Sequence, residues 1–187
     1  YFSLTIAGVT LSPNNANRQL SVGGGFRSNF DYIIENCTVN GTVYFYFHGT
    51  SKLAVRDCIF QGSGRENYAF MAQGHESEPL SVEFVGNTVS GYRRGINIDQ
   101  VTAEVAIVDN TITPGVGYSA VQLSGFQTAV VEGNTVYDQG NFLTLHEKLA
   151  KNQVQGRSLL VKGNAVKAVE GIQGYLIYDD ITAAGVD

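Results

Sequence analysis

The sequence predicts an all-β chain wound into a single parallel solenoid of about seven coils, and three observations predict it. A phrase recurs: Val85-Gly86-Asn87-Thr88-Val89, Val108-Asp109-Asn110-Thr111-Ile112 and Glu132-Gly133-Asn134-Thr135-Val136. Apolar residues keep fixed places around it. Composition points the same way, with 22 Gly, 3 Pro and no Trp in 187 residues, which suits many turns and repeated strands.

Weaker copies of the phrase run through Lys162-Gly163-Asn164-Ala165-Val166, Asn36-Cys37-Thr38-Val39 and Asp57-Cys58-Ile59-Phe60. The anchors Cys37, Cys58, Asn87, Asn110, Asn134 and Asn164 are 21, 29, 23, 24 and 30 residues apart, a solenoid period. Three residues before the anchors stand Ile34, Val55, Phe84, Ile107, Val131 and Val161. Five before stand Tyr32, Leu53, Val82, Val105, Ala129 and Leu159; two after stand Val39, Phe60, Val89, Ile112, Val136 and Val166. With Val9 as a degenerate first anchor, Leu4, Ile6 and Leu11 join these columns.

Apolar residues at alternate positions mean strands with one buried face. A phrase repeated in register stacks such strands in parallel, about 4.8 Å apart, and the stacked coils share one core. Gly or Asp before most anchors suits a bend with unusual backbone angles. The anchor Asn residues, stacked at that bend, are expected to form a hydrogen-bonded ladder. For Cys37 and Cys58 two readings stand: small residues filling ladder positions, or a disulfide between adjacent coils.

A second alternating strand follows each anchor: Phe45-Tyr46-Phe47-His48, Phe70-Met71-Ala72-Gln73, Ile96-Asn97-Ile98-Asp99, Val121-Gln122-Leu123-Ser124, Leu143-Thr144-Leu145-His146 and Leu176-Ile177-Tyr178-Asp179. Aligned so, the first and third members point inward and the others outward. The polar stretch from Ser12 to Phe26 reads as a loop around a short strand at Gln19–Val22. Extra residues at 74–79 and 147–152, the latter reading as one or two helical turns, predict two walls of a trough.

The trough gathers the candidate ligand-binding residues: Arg93, Arg94, Asn97, Asp99, Tyr118, Gln122, Ser124 and His146. Arg beside Tyr suits stacking on sugar rings or pairing with uronate carboxylates. Asp99, flanked by Gln73 and Ser124, lacks a second carboxylate in the adjoining coils of its row, so a glycosidase pair there would need Glu76 or Glu78 to swing over it. His146 is expected beside Asp179, as an ion pair or a base. The sequence points to no cofactor and to no metal set, since the Cys pair lacks a matching second pair. The outward file Thr10, Thr38, Ile59, Thr88, Thr111, Thr135 and Ala165 reads as ordinary strand surface.

The arrangement resembles the right-handed parallel β-helix, the pectate-lyase-like superhelix, from about Leu4 to Tyr178, with repeats like those of large bacterial surface proteins. The resemblance implies one β-helix domain over residues 1–187, a piece of a longer extracellular or cell-surface protein, binding or displaying carbohydrate. It also implies an alternative, a polysaccharide lyase or glycoside hydrolase acting on a uronate-containing glycan. Against the alternative, the chain lacks an Asp-rich calcium cluster. It also lacks Asn-Thr-Asp combined with Asp-Asp and Gly-His-Gly, as in polygalacturonase-like enzymes, and the Asp-Pro-His of alginate epimerases. A net charge of −5 disfavours a nucleic-acid or anionic-membrane partner, and no apolar run is long enough to span a bilayer.

Overall fold

Each winding of the chain contributes three strands, and the computed structural model describes residues 2–14, 19–24, 30–47, 51–74, 80–99, 103–137, 140–146, 158–167, 171, 174 and 176–180. The first winding holds β1 (Phe2–Ala7), β2 (Thr10–Leu11) and β3 (Gln19–Gly24). Next come β4 (Phe30–Glu35), β5 (Thr38–Val39) and β6 (Thr42–Phe47), then β7 (Ser51–Arg56), β8 (Ile59–Gln61) and β9 (Tyr68–Gln73). The middle windings carry β10 (Leu80–Val85), β11 (Thr88–Ser90) and β12 (Arg94–Asp99), then β13 (Glu104–Val108), β14 (Thr111–Ile112) and β15 (Val121–Leu123). Last are β16 (Thr128–Glu132), β17 (Thr135–Tyr137) and β18 (Leu143–His146), then β19 (Ser158–Lys162), β20 (Ala165–Lys167) and β21 (Ile177–Asp180).

Like strands of successive windings pair in parallel, so the described residues form three seven-stranded sheets. We call them A (from β1 to β19), B (from β2 to β20) and C (from β3 to β21). This is the parallel β-solenoid expected from the repeat. Five windings have a neighbour on both sides; the first and last leave Leu4 and Val166 both 40% exposed. No helix lies among the described residues, and the helical turns expected at 147–152 fall outside them. The trough walls expected at 74–79 and 147–152 fall outside them too, Gly74 excepted.

The apolar columns stack in the predicted register. Ile34, Val55, Phe84, Ile107, Val131 and Val161 are successive partners, and so are Tyr32, Leu53, Val82, Val105, Ala129 and Leu159. A run of rings fills the N-terminal half of the interior, with Phe45–Phe70 centroids 6.2 Å apart and Phe70–Phe84 5.1 Å apart. Each such buried ring contributes about 2–3 kcal/mol of transfer free energy.

The bend between sheets A and B is set by backbone conformation. Asn36, Asp57 and Asp109 have φ of 53°, 53° and 54°, and Gly86 and Gly133 both have 68°. Asn, Asp and Gly are the residues that adopt this left-handed region at least cost. Gly follows Asp for a second reason: a Cβ on Gly86 would run into the Asp57 carboxylate, and one on Gly133 into that of Asp109.

At the next position the Asn ladder forms. The Asn110 amide oxygen accepts from the Asn87 backbone N–H at 2.8 Å and from Asn87 Nδ2 at 3.1 Å, while Asn110 Nδ2 donates to the Phe84 carbonyl at 2.8 Å. Asn134 repeats the pattern with Asn110, and Asn164 with Asn134. Cys37 and Cys58 continue the file as free, buried thiols, the Cys37 N–H reaching Cys58 Sγ at 3.5 Å. Burial pushes the Cys58 thiol up to about 11.

Sheet C corrects the expected register in two places. Val43, not Phe45, is the partner of Phe70, so Tyr44 stands beside Met71 and Tyr46 beside Gln73. A two-residue slip keeps side-chain parity, and the alternating Tyr44-Phe45-Tyr46-Phe47 run does not distinguish the two alignments. At the other end Leu143 pairs with Ile177, not Leu176, which places Asp180 rather than Asp179 beside His146. That slip is of one residue and exchanges the two faces.

Candidate functional site

The outer face of sheet C carries three rows of polar and aromatic side chains across consecutive windings. The middle row is Tyr44, Met71, Asn97, Gln122 and Thr144, held in line by parallel pairing. On one flank lie Tyr68 and Arg94, which are direct partners, followed by Tyr118 and Ser119 ahead of β15. On the other lie Gln73 and Asp99, with Ser124 and His146 next in line. Strict alternation would place Tyr68 and Arg94 inside, because they share parity with Phe70 and Ile96. The strands bend there instead: Ala69 and Gly95 are buried together with Phe70 and Ile96, leaving Tyr68 and Arg94 half-buried. Sequence reasoning therefore missed Tyr68, and the pairs Tyr68-Ala69 and Arg94-Gly95, a large residue before a small one, were its only signal.

The Arg94 guanidinium lies over two rings, 4.8 Å from the centroid of Tyr118 and 5.4 Å from that of Tyr68. Its Nη1 also donates to Asn67 Oδ1 at 3.0 Å. Cation–π contact and this hydrogen bond fix both ring planes. Arg94 makes no ion pair with any described residue, so its positive charge is not neutralised by a carboxylate there. Arg93 is exposed, and its backbone N–H donates to the Glu66 carbonyl at 3.1 Å. Tyr92 belongs to the interior instead, its hydroxyl donating to the Gly41 carbonyl at 2.7 Å.

Although they point away from the core, Gln122, Ser124 and Thr144 are buried, at 6%, 3% and 3% exposure. Buried polar groups ordinarily have hydrogen-bond partners. Thr144 has Ser119, their hydroxyls 2.7 Å apart. Gln122 is half-satisfied: Oε1 accepts from the Tyr68 hydroxyl at 2.7 Å, and Nε2 has no partner among the described residues. Asn97, beside it in register and half-buried, makes no side-chain hydrogen bond with any described residue. Two neighbouring carboxamides thus keep unused capacity: donors on both, and the whole acceptor on Asn97.

In the flanking row Ser124 Oγ donates to Asp99 Oδ1, and Tyr44 donates to Gln73 Oε1 at 2.7 Å. Asp99 is accordingly a half-buried hydrogen-bond acceptor, and the Ser124 proton is directed to Asp99. That direction leaves Ser124 poorly placed as a nucleophile toward His146. The structure thus puts Arg94, Asn97, Asp99, Tyr118, Gln122, Ser124 and His146 on one face, with Arg93 at its edge.

Elsewhere the surface is more self-contained. A depression of about 330 Å³ on the outer face of sheet A is lined by Lys52, Glu83, Glu104, Ala106 and Val130, among others. There Glu83 is gripped by both Lys52 and Arg56. Burial pushes its carboxyl up, but the hydrogen bonds and charges of the two cations outweigh this and hold it below the usual range.

Among the described residues no cluster of three or more His, Cys, Asp or Glu is suited to hold a metal, and no helix is long and apolar enough to cross a membrane. Compared with known proteins, the sequence matches no family model, and neither a curated protein nor a solved structure matches it.

Proposed function

We propose that the chain is an extracellular or cell-surface β-helix module that binds carbohydrate on the outer face of sheet C. The observation that carries this reading is the trio of Tyr68, Arg94 and Tyr118, fixed beside the unsatisfied carboxamides of Asn97 and Gln122. Sugars present apolar C–H faces and rings of hydroxyls. They are met by flat aromatic surfaces and by planar side chains that both donate and accept hydrogen bonds. The pre-set rings and the tethered Gln122 amide bind without the ordering cost that mobile side chains would bring. The placement outside the cell is part of this proposal and is supported by the resemblance of the repeats to those of bacterial surface proteins.

The test is a glycan array followed by product analysis on uronate-containing polymers. Binding without turnover is expected, with Tyr118→Ala lowering affinity at least tenfold. New reducing ends or unsaturated products would replace this reading with that of a hydrolase or lyase. Retention of full affinity by Tyr118→Ala would remove the sheet C face from the account.

A further inference from the structure

The two carboxamides of the middle row specify more than a sugar. Gln122 presents chiefly its donors, because its oxygen already accepts from Tyr68, whereas Asn97 offers both donors and an acceptor on the adjacent strand. The strands are about 4.8 Å apart, so a planar group lying over this pair meets a donor from one side and an acceptor from the other. A carboxylate can use only donors, Gln122 Nε2 and Asn97 Nδ2, and leaves the Asn97 acceptor unused. A secondary amide satisfies both, its carbonyl toward Gln122 Nε2 and its N–H toward Asn97 Oδ1. The protein already stacks amides in this way: in the ladder Asn110 Nδ2 donates to Asn134 Oδ1 at 2.9 Å. Met71, next along the row and half-buried, supplies an apolar, adaptable neighbour for a methyl group.

We infer that Asn97 and Gln122 recognise the acetamido group of an N-acetylated hexosamine, with Tyr68 and Tyr118 beside the sugar ring. This rests on the carbohydrate reading above and narrows it to one substrate class.

The experiment is titration calorimetry of the whole chain with trimers of N-acetylglucosamine, N-acetylgalactosamine and glucose, with the de-N-acetylated glucosamine trimer, and with an acetyl-lysine peptide. At least one N-acetylated trimer is expected to bind ten or more times tighter than the glucose and glucosamine trimers. Gln122→Met and Asn97→Leu should each abolish that preference, with the melting temperature moved by a few degrees at most. Equal binding of acetylated and glucose trimers, with loss on Tyr118→Ala, overturns the acetamido assignment and leaves carbohydrate binding standing. Absence of binding to any sugar on the array overturns both. Binding of the acetyl-lysine peptide with the same Gln122 dependence, and of no sugar, overturns the sugar as the source of the amide.

Discussion

Side-chain amides are stacked in register in two regions of this molecule, with different outcomes. In the ladder each fully buried Asn uses both ends of its amide: Asn110, 1% exposed, accepts from Asn87 and donates to Phe84 and Asn134. On the outer face of sheet C, Gln122 is buried nearly as well, but among the described residues its Nε2 has no partner and Asn97 beside it is unengaged. The same chemistry holds the fold together in one place and is held in reserve in the other. A saturated polar file is a structural device, whereas an unsaturated one costs stability and points to a ligand or to water.

The largest effect expected on this comparison comes from the ladder. Asn110→Ala strands the buried Asn87 N–H and the Phe84 carbonyl, at about 1–3 kcal/mol each, so urea denaturation should show a loss of about 3–5 kcal/mol. Glycan affinity measured below the unfolding transition should be untouched.

Within the ladder itself the thiol end is the weaker one. Cys58→Ala removes weak sulfur contacts, to the Cys37 N–H at 3.5 Å and to the Arg56 and Ile34 carbonyls at 3.1 and 3.7 Å, and a small volume, while the Cys58 N–H keeps Asn87 Oδ1 at 2.9 Å. The expected cost is about 1 kcal/mol, less than half that of Asn110→Ala, by the same denaturation. Equal losses would mean that the Cys and Asn rungs are equivalent, which their geometry contradicts.

The smallest effect lies on sheet A, where the polar groups already have partners. The Glu83 carboxyl is held below its unfolded value of about 4.3, so its contribution to stability is complete above that value. The contribution is lost as pH falls through the lower, folded value. Lys52 and Arg56 are 45% and 40% exposed, which keeps the contribution under about 1 kcal/mol. Following the urea midpoint from about pH 5 downward should show Glu83→Gln flattening this limb, by a comparably small amount.

The inner face was legible in the sequence, because anchors 21 to 30 residues apart place Ile34 to Val161 in one column whatever the loops do. The candidate face was legible in part. Asn97, Gln122 and Asp99 lie where the alternation put them, in the order Gln73, Asp99, Ser124. Tyr68 escaped because a local bend breaks the alternation, and the burial of Gln122 escaped because alternation says which side a residue faces, not what lies over it. The error at Asp179 has a plain cause. Leu176-Ile177-Tyr178 offers two adjacent apolar residues to one column, and backbone pairing selects Ile177.

The contrast between saturated and unsaturated amides is tested most directly by the stability of Gln122→Met, a substitution of similar volume that removes the orphaned donors. Removing the orphaned donors offsets the loss of the acceptor of the Tyr68 hydroxyl, a bond worth about 1 kcal/mol, so the denaturation free energy should fall by no more than about 1 kcal/mol. Carbohydrate binding should be lost or should lose its preference. A loss of about 3 kcal/mol, as large as that from Asn110→Ala, would show that Gln122 is another structural rung and that the outer face of sheet C holds nothing in reserve.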